Sequence, residues 1–131
     1  MALDAKVAEL LANLPPEAEL SQYTPQEARK RLLSTTPVSE LRGDDRDLQV
    51  TDLDLRVAHG TVPVRIYRPS ATETAPVVMH FHGGGFVTGS IDVYDGNARD
   101  LARLSGCAVV AVGYRLAPEH PFPAGFDGWV R

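Results

Sequence analysis

The first forty residues carry apolar positions with the period of an α-helix. Between charged residues, apolar side chains recur three and four positions apart: Leu3, Val7, Leu10, Leu11 and Leu14. This spacing predicts an amphipathic helix that ends at Pro15-Pro16. A second helix is predicted to begin at Thr24-Pro25-Gln26-Glu27, which combines an N-cap, a proline at the first helical position and a capping box, and to close at Pro37. We interpret the pair as helices that cover a core, with a lid over a binding site as the alternative.

From residue 48 the period changes to two. Apolar side chains alternate with polar ones in two runs: Leu53, Leu55 and Val57, then Val62, Val64 and Ile66. Alternation on both sides of His59-Gly60 predicts a β-hairpin that turns there and ends at Pro69.

Two short apolar runs flank a further helical pattern. Val77–Phe81 is continuously apolar apart from His80, which is typical of a strand buried on both faces, and Ala108–Val112 predicts a second buried strand. Between them Asp95–Ser105 fits a helix, with Gly106 as its C-cap. Strand, helix, strand is a βαβ unit, so the two strands are expected to be parallel with a right-handed crossover. Residues 126–131 predict the start of another helix, and the fold class is α/β.

Composition and charge exclude several classes of protein. The chain of 131 residues is 44% hydrophobic and 23% charged, with a net charge of -4, and it has no basic stripe of the kind that nucleic acid binding requires. No apolar run approaches the ~20 residues of a membrane span. The start has no secretory signal, so cytoplasmic residence is the default. The single cysteine, Cys107, makes no internal disulfide and is expected to open a buried strand as a small apolar residue.

Residues 80–89, with the sequence His-Phe-His-Gly-Gly-Gly-Phe-Val-Thr-Gly, carry the most informative motif. They follow a predicted strand, and open parallel sheets bind ligands at the carboxyl ends of their strands. Three consecutive glycines expose backbone N–H groups and permit positive φ, so the loop can aim several donors at one anionic oxygen. A nucleotide-binding loop does not fit, because Thr88 replaces the last dinucleotide glycine and Ser90-Ile91 stands where a phosphate loop needs Lys-Ser/Thr. The remaining match is H-G-G-G, the oxyanion-hole loop of lipases and esterases.

The two histidines of this motif have separate expected roles. His82 is expected to brace the glycine loop by hydrogen bonding, and His80 to be a core histidine. The alternative, that both face one metal ion, lacks an acidic or third histidine partner at zinc spacing. We therefore assign no metal site.

A second motif occupies residues 114–124, Tyr-Arg-Leu-Ala-Pro-Glu-His-Pro-Phe-Pro-Ala. Three prolines within six residues make this segment rigid and non-helical. We expect it to fix the path from the second buried strand to the next helix, and Arg115 and Glu119 are candidates for an ion pair within it.

Together the two motifs resemble the hormone-sensitive-lipase-like family of α/β-hydrolases, the bacterial family IV esterases. The likeness rests on residues 82–89 and 114–124 and on their separation by one helix and one strand. It implies the N-terminal part of an α/β-hydrolase fold, in which residues 1–40 form cap helices and residues 41–131 form the first half of the core domain. Gly113 departs from the family, which usually has a polar or acidic residue before Tyr-Arg.

The resemblance also implies a function. Family members hydrolyse carboxylic esters of short or medium acyl chains through a serine acyl-enzyme, without a cofactor. By this resemblance the N–H groups of Gly84 and Gly85 are the oxyanion donors, His82 and Gly83 support the motif, and Phe86 borders the acyl pocket.

The nucleophile of that mechanism has no counterpart in the 131 residues. No serine has glycines two positions away on both sides, so the elbow G-x-S-x-G is absent. The resemblance places the serine, acid and histidine further along, so we expect them from a C-terminal remainder or a swapped neighbour. The isolated chain is expected to be inactive, with an incomplete sheet that lacks a strand beside Val77–Phe81. The alternative function is a non-catalytic small-molecule-binding module on the same fold.

Overall fold

The protein is described by a computed structural model that covers residues 3–13, 22–36, 47–58, 60–70 and 74–130. The elements in chain order are α1 (Ala5–Asn13), α2 (Pro25–Thr35), β1 (Leu48–Val57), β2 (Gly60–Pro69), β3 (Val77–Phe81), α3 (Asp95–Ser105), β4 (Ala108–Val112) and α4 (Ala124–Val130). Each predicted helix and strand is present. The predicted breaks at Pro15-Pro16 and Pro37 and the hairpin residue His59 lie outside the described residues.

The predicted start of α2 and the predicted end of α3 are confirmed. At the start of α2 the Thr24 hydroxyl accepts from the Glu27 amide at 3.3 Å, and the Thr24 amide donates to the Glu27 carboxylate at 2.8 Å. Helix α3 ends at Gly106, whose φ of +68° is the left-handed C-cap conformation.

The four strands form one mixed sheet in the order β1-β2-β4-β3. Strands β3 and β4 are parallel, with Val77 opposite Ala108 and Phe81 opposite Val112, as the βαβ pattern predicts. Strand β2 pairs with β4 in the antiparallel direction, with Val64 opposite Val112. This pairing joins the hairpin to the βαβ unit and leaves β3 at one edge of the sheet.

Helix α3 covers one face of the sheet. Its small residues Ala98 and Ala102 are fully buried and lie in one apolar cluster with Tyr67 of β2 and Val109 of β4. Small side chains let the helix approach the strands closely. The opposite face carries a second apolar cluster: Val62, Val64, Val112 and Tyr114.

Strand β3 is not buried on both faces, so that prediction is wrong for this chain. Val77 is 63% exposed, Met79 49% and Phe81 37%, whereas Val78 and His80 on the other face are partly buried. The reason is that α3 covers only one side of the sheet, and no element of the described residues covers β3 on the other. Cys107 does not open a buried strand as predicted. It is a half-buried free cysteine that lies just before β4.

A buried carboxylate anchors α3 to the sheet. Asp95, in the first turn of the helix, accepts hydrogen bonds from Tyr67 Oη at 2.8 Å, Arg65 Nη1 at 3.0 Å and Arg99 Nε at 2.5 Å. Burial alone would raise the pKa of Asp95, but these hydrogen bonds lower it below its ordinary value. Arg65 continues the network to Asp52 and Asp92 on the surface.

Within the described part of the chain, no helix combines the length and the apolar character that crossing a bilayer requires.

Candidate functional site

The glycine loop begins where β3 ends, at the carboxyl edge of the sheet. Gly84 has a φ of +128° and Gly85 a φ of +60°, conformations that side chains disfavour. A Cβ on Gly84 would overlap the carbonyl of Thr88, whereas one on Gly85 would meet open space. The loop path therefore requires glycine at position 84 for both conformation and space.

A tight turn of residues 84–88 shapes this loop. The amides of Val87 and Thr88 both donate to the carbonyl of Gly84, at 3.0 and 2.9 Å. Neither the Gly84 nor the Gly85 amide donates a hydrogen bond to any residue that the structure describes. Both glycines line a cavity of about 220 Å³ together with Phe81, His82, Gly83, Phe86 and Tyr114. The loop thus presents free backbone donors at a small cavity that is largely walled by apolar side chains.

His82 is held inside an aromatic stack below this loop. Its ring lies 4.3 Å from that of Tyr114 and 5.8 Å from that of Tyr94, nearly parallel to both. His82 Nδ1 lies 2.9 Å from the carbonyl of Gly83, and Tyr114 Oη donates to the carbonyl of His82. Because a carbonyl only accepts, the Nδ1 atom carries the proton of this contact. Burial lowers the pKa of His82, and the hydrogen bond to Gly83 partly opposes the shift.

His80 lies in β3, partly buried, with its ring 6.3 Å from that of Tyr94. Burial and the neighbouring His82 lower the pKa of His80. Over the described ranges, no group of three or more His, Cys, Asp or Glu side chains is placed to hold a metal ion.

Phe86 joins the two sequence motifs. Its carbonyl accepts from the amide of Ala117 at 2.8 Å, and its ring centroid lies 5.7 Å from that of Tyr114. Phe86 has a φ of +61°, which is unusual for a residue with a side chain. Its side chain is 60% exposed at the mouth of the cavity.

Arg29 of α2 also contacts both motifs, and sequence reasoning missed it. Arg29 Nε donates to the carbonyl of Val87 at 2.7 Å and Nη2 to that of Ala117 at 2.7 Å. Nη1 and Nη2 bind the Glu119 carboxylate at 2.9 and 2.8 Å. In the sequence, Arg29 is one of three consecutive basic residues on a helix, and nothing in that pattern separates it from Lys30 or Arg31.

The ion pair proposed within residues 114–124 is therefore wrong. Glu119 binds Arg29, while Arg115 Nη2 donates to the carbonyl of Ala124 at 3.1 Å. The hydrogen bonds from Arg29 lower the pKa of Glu119 to about 2. The partner of Glu119 is thus an arginine of α2, ninety residues earlier in the sequence, and not a residue of its own segment.

A second cavity is also lined by the two glycines. It has a volume of about 500 Å³, and α2 and the segment before it form one wall through Tyr23, Pro25 and Ala28. Gly84 and Gly85 thus line two cavities, one shared with the end of β3 and one shared with α2.

Comparisons with known proteins agree with this geometry. A family profile described as alpha/beta hydrolase fold matches residues 78–131. Esterase LipI of Mycobacterium tuberculosis is 47% identical over 87 residues, which cover 63% of this chain and 27% of that protein. The ethyl acetate hydrolase of Pseudomonas putida is 39% identical over 105 residues, which cover 77% and 33%. The structure of an esterase from Pyrobaculum calidifontis superimposes with a TM-score of 0.83 and 32% identity over 97% of this chain and 40% of that one.

These matches show that the chain has an α/β-hydrolase fold, as the two motifs predict, and they support its assignment to the hormone-sensitive-lipase-like family. The chain spans about a third or less of the length of the curated relatives named above. Its mixed four-stranded sheet is accordingly a partial α/β-hydrolase fold.

Proposed function

We propose that this chain supplies the oxyanion hole and part of the cap of a carboxylic ester hydrolase that acts on short or medium acyl esters. The observation that carries the proposal is the pair of glycine amides, Gly84 and Gly85, which donate no hydrogen bond within the described residues and belong to residues that line the cavity at the end of β3. Two of the chain's relatives are an esterase and an ethyl acetate hydrolase, which supports the substrate class.

The two amides act on the charge that develops during the reaction. When a serine attacks the ester carbon, the carbonyl oxygen becomes an oxyanion, and N–H donors bind it more strongly than they bind the neutral ester. The alcohol then leaves, and water hydrolyses the acyl-enzyme through a second oxyanion. Because the turn of residues 84–88 is closed by its own hydrogen bonds, the donors are in place before the charge forms.

The other residues of the site support this pair. His82, with Gly83, braces the loop from below through its stacked ring and its hydrogen bond. Phe86 borders the acyl pocket, because its ring stands at the mouth of the cavity that the glycines line. No metal or cofactor takes part in the proposed reaction.

The nucleophile, its base and its acid come from outside these 131 residues in this proposal. The supporting facts are that G-x-S-x-G is absent from the sequence and that β3 ends the sheet with an exposed apolar face. A further strand beside β3, from the remainder of the same enzyme or from a swapped neighbour, would bring the serine next to the glycine loop. Residues 1–40 would form cap helices, and residues 41–131 the first half of the core.

Gly84→Pro tests the oxyanion assignment in the hydrolase that contains this chain. Proline has no N–H and cannot adopt a φ of +128°, so the variant loses one donor and distorts the turn. We expect kcat for a chromogenic acetate or butyrate ester to fall by about 10²–10³, the usual effect of one lost oxyanion donor, with little change in KM. A variant with normal kcat would refute the assignment.

A second pair of variants separates catalysis from folding. Gly85→Ala and Gly106→Ala impose the same backbone strain, because both glycines have φ near +60° to +68° and open space for a Cβ. Only Gly85 lies at the cavity. We expect kcat to fall in Gly85→Ala alone, and equal kcat values in the two variants would contradict the proposal. If the unmodified enzyme binds esters without turnover, the chain belongs to a binding module instead.

A further inference from the structure

We propose that Arg29 is a positioning residue for the oxyanion loop, through which α2 holds the glycine turn in its donor-presenting conformation. The proposal rests on the proposed ester hydrolase function. It adds that the rate of the chemical step depends on a guanidinium in the N-terminal helices, which lies outside both sequence motifs.

The guanidinium joins three separate backbone and side-chain partners. It donates to the carbonyl of Val87 in the glycine turn, to the carbonyl of Ala117 in the segment after β4, and to both carboxylate oxygens of Glu119. Four of its five N–H groups are used, in the planar fork geometry that arginine provides and lysine does not. The side chain is 26% exposed, so water competes only in part for these bonds.

The contacts of Arg29 with Val87 and Ala117 lie next to Phe86, a residue with a strained backbone. Phe86 has a φ of +61°, a conformation that costs free energy for a residue with a Cβ and persists where neighbouring contacts enforce it. The Phe86 carbonyl is held by the Ala117 amide, and the next carbonyl along the chain, that of Val87, is held by Arg29. Arg29 also binds the carbonyl of Ala117, so the same guanidinium fixes both sides of this contact.

The effect reaches the two proposed donors through the turn. Val87 donates its amide to the carbonyl of Gly84 while its own carbonyl accepts from Arg29. A change at the Val87 carbonyl rotates the peptide groups of the turn, and with them the amides of Gly84 and Gly85. Oxyanion stabilisation depends on donor direction and distance, so such a rotation lowers kcat with little effect on substrate binding.

Glu119 orients the guanidinium. Its two oxygens meet two nitrogens of Arg29, and Gln26 of the same helix donates to it at 3.0 Å. A bidentate pair fixes the plane of the guanidinium as well as its position. Since the pKa of Glu119 is lowered to about 2, the pair stays ionised at the neutral pH of an ester assay.

A purely structural tether makes a different prediction. If Arg29 only fastened α2 to the core, its loss would lower the free energy of unfolding or raise KM by loosening the cavity under α2. It would leave kcat at saturating substrate close to normal. Measuring kcat and KM separately therefore distinguishes a positioning role of Arg29 from a purely structural one.

The experiment compares Arg29→Gln with Lys30→Gln in the hydrolase that contains this chain. Each substitution removes one positive charge from α2, but Lys30 is exposed and makes no hydrogen bond or ion pair with either motif in the described structure. We expect kcat for a short-chain p-nitrophenyl ester to fall by about 10- to 100-fold in Arg29→Gln, somewhat less than for a deleted donor. KM should be nearly unchanged, and Lys30→Gln should behave as the unmodified enzyme.

A transition-state probe gives an independent readout. A trifluoromethyl ketone forms an oxyanion on the serine, so its inhibition constant should rise with the fall in kcat, whereas that of the alcohol product should not. Arg29→Lys should restore only part of kcat, because one ammonium group cannot reach both carbonyls and the carboxylate. Equal kcat in Arg29→Gln and Lys30→Gln, or a change in KM alone, would overturn the proposal.

Glu119→Gln covers the case in which Arg29→Gln does not fold. It keeps the side-chain length but breaks the bidentate pair, and we expect kcat to fall several-fold at constant KM. A normal kcat in Glu119→Gln would then count against the positioning role. Absence of ester turnover in the unmodified enzyme would instead overturn the proposed function, and the inference with it.

Discussion

The imidazole of His82 lies against the phenol ring of Tyr114, with ring centroids 4.3 Å apart and planes inclined by 16°. The ring of Tyr94 also stacks with it, at 5.8 Å, and His82 is only 6% exposed. A protonated ring would lose most of its hydration in this position, so burial lowers the pKa of His82. The native loop therefore rests on a neutral histidine.

This histidine makes stability depend on pH. The unfolded chain takes up a proton at His82 near the ordinary pKa of about 6.5, whereas the native state takes it up only at lower pH. Between these values the unfolded state binds more protons, so the contribution of His82 to the free energy of unfolding is fully present above pH ~6.5 and falls as the pH drops below it. His80 contributes in the same direction.

Urea unfolding of the protein between pH 7.5 and 5 measures this slope. We expect the free energy of unfolding to fall less steeply with decreasing pH in His82→Gln than in the unmodified protein, whatever the starting stability of the variant. Equal slopes would show that His82 is not the group responsible.

Asp95→Asn should destabilise the fold strongly. Asp95 is 3% exposed and compensates Arg99, which is 5% exposed, together with Arg65. Removing one member of a buried charge pair typically costs about 3–5 kcal/mol. The matched control is Asp92→Asn, which removes a carboxylate from the same Arg65 at a site where the side chain is 54% exposed. There we expect a loss of about 1 kcal/mol or less.

Chemical denaturation of both variants gives the comparison. Similar losses in Asp95→Asn and Asp92→Asn would show that the buried carboxylate does not anchor α3 to the sheet. Arg65→Lys adds a test of geometry, since a lysine cannot contact Asp52, Asp92 and Asp95 together as the guanidinium does.

The isolated 131-residue chain should self-associate and should not hydrolyse esters. Strand β3 is at the edge of the sheet with Val77, Met79 and Phe81 exposed, and apolar edge strands recruit other chains. Met79→Lys should reduce the association, because a charge on this face opposes pairing. Leu104→Lys changes an apolar side chain that is 88% exposed on α3, away from the edge, and should not.

Size-exclusion chromatography and a chromogenic ester assay measure the two outcomes. A monodisperse monomer with cooperative unfolding would contradict the edge-strand argument. Ester turnover above background that survives repurification would show that a nucleophile is present within the 131 residues.

The elements of this fold follow from short-range patterns. The capping box of Thr24 and Glu27 and the left-handed Gly106 involve residues at most four positions apart, so the printed sequence is enough to locate both helix ends. The same holds for the alternating hairpin and for the glycine motif at the end of β3. These patterns predict the family and the identity of the loop because each is a contiguous piece of chain.

Long-range packing decides the ion-pair partners, the pairing of β2 with β4 and the burial of β3. The Arg29–Glu119 pair joins residues 90 positions apart, and Arg115 was the nearer cation in sequence. The antiparallel pairing of β2 with β4 likewise has no local signature. An arginine pairs with whichever carboxylate the fold brings within reach, and an apolar strand is buried only where another element covers it. Both outcomes depend on how distant segments pack, which is why residue type and periodicity did not reveal Arg29, the network around Asp95 or the exposed face of β3.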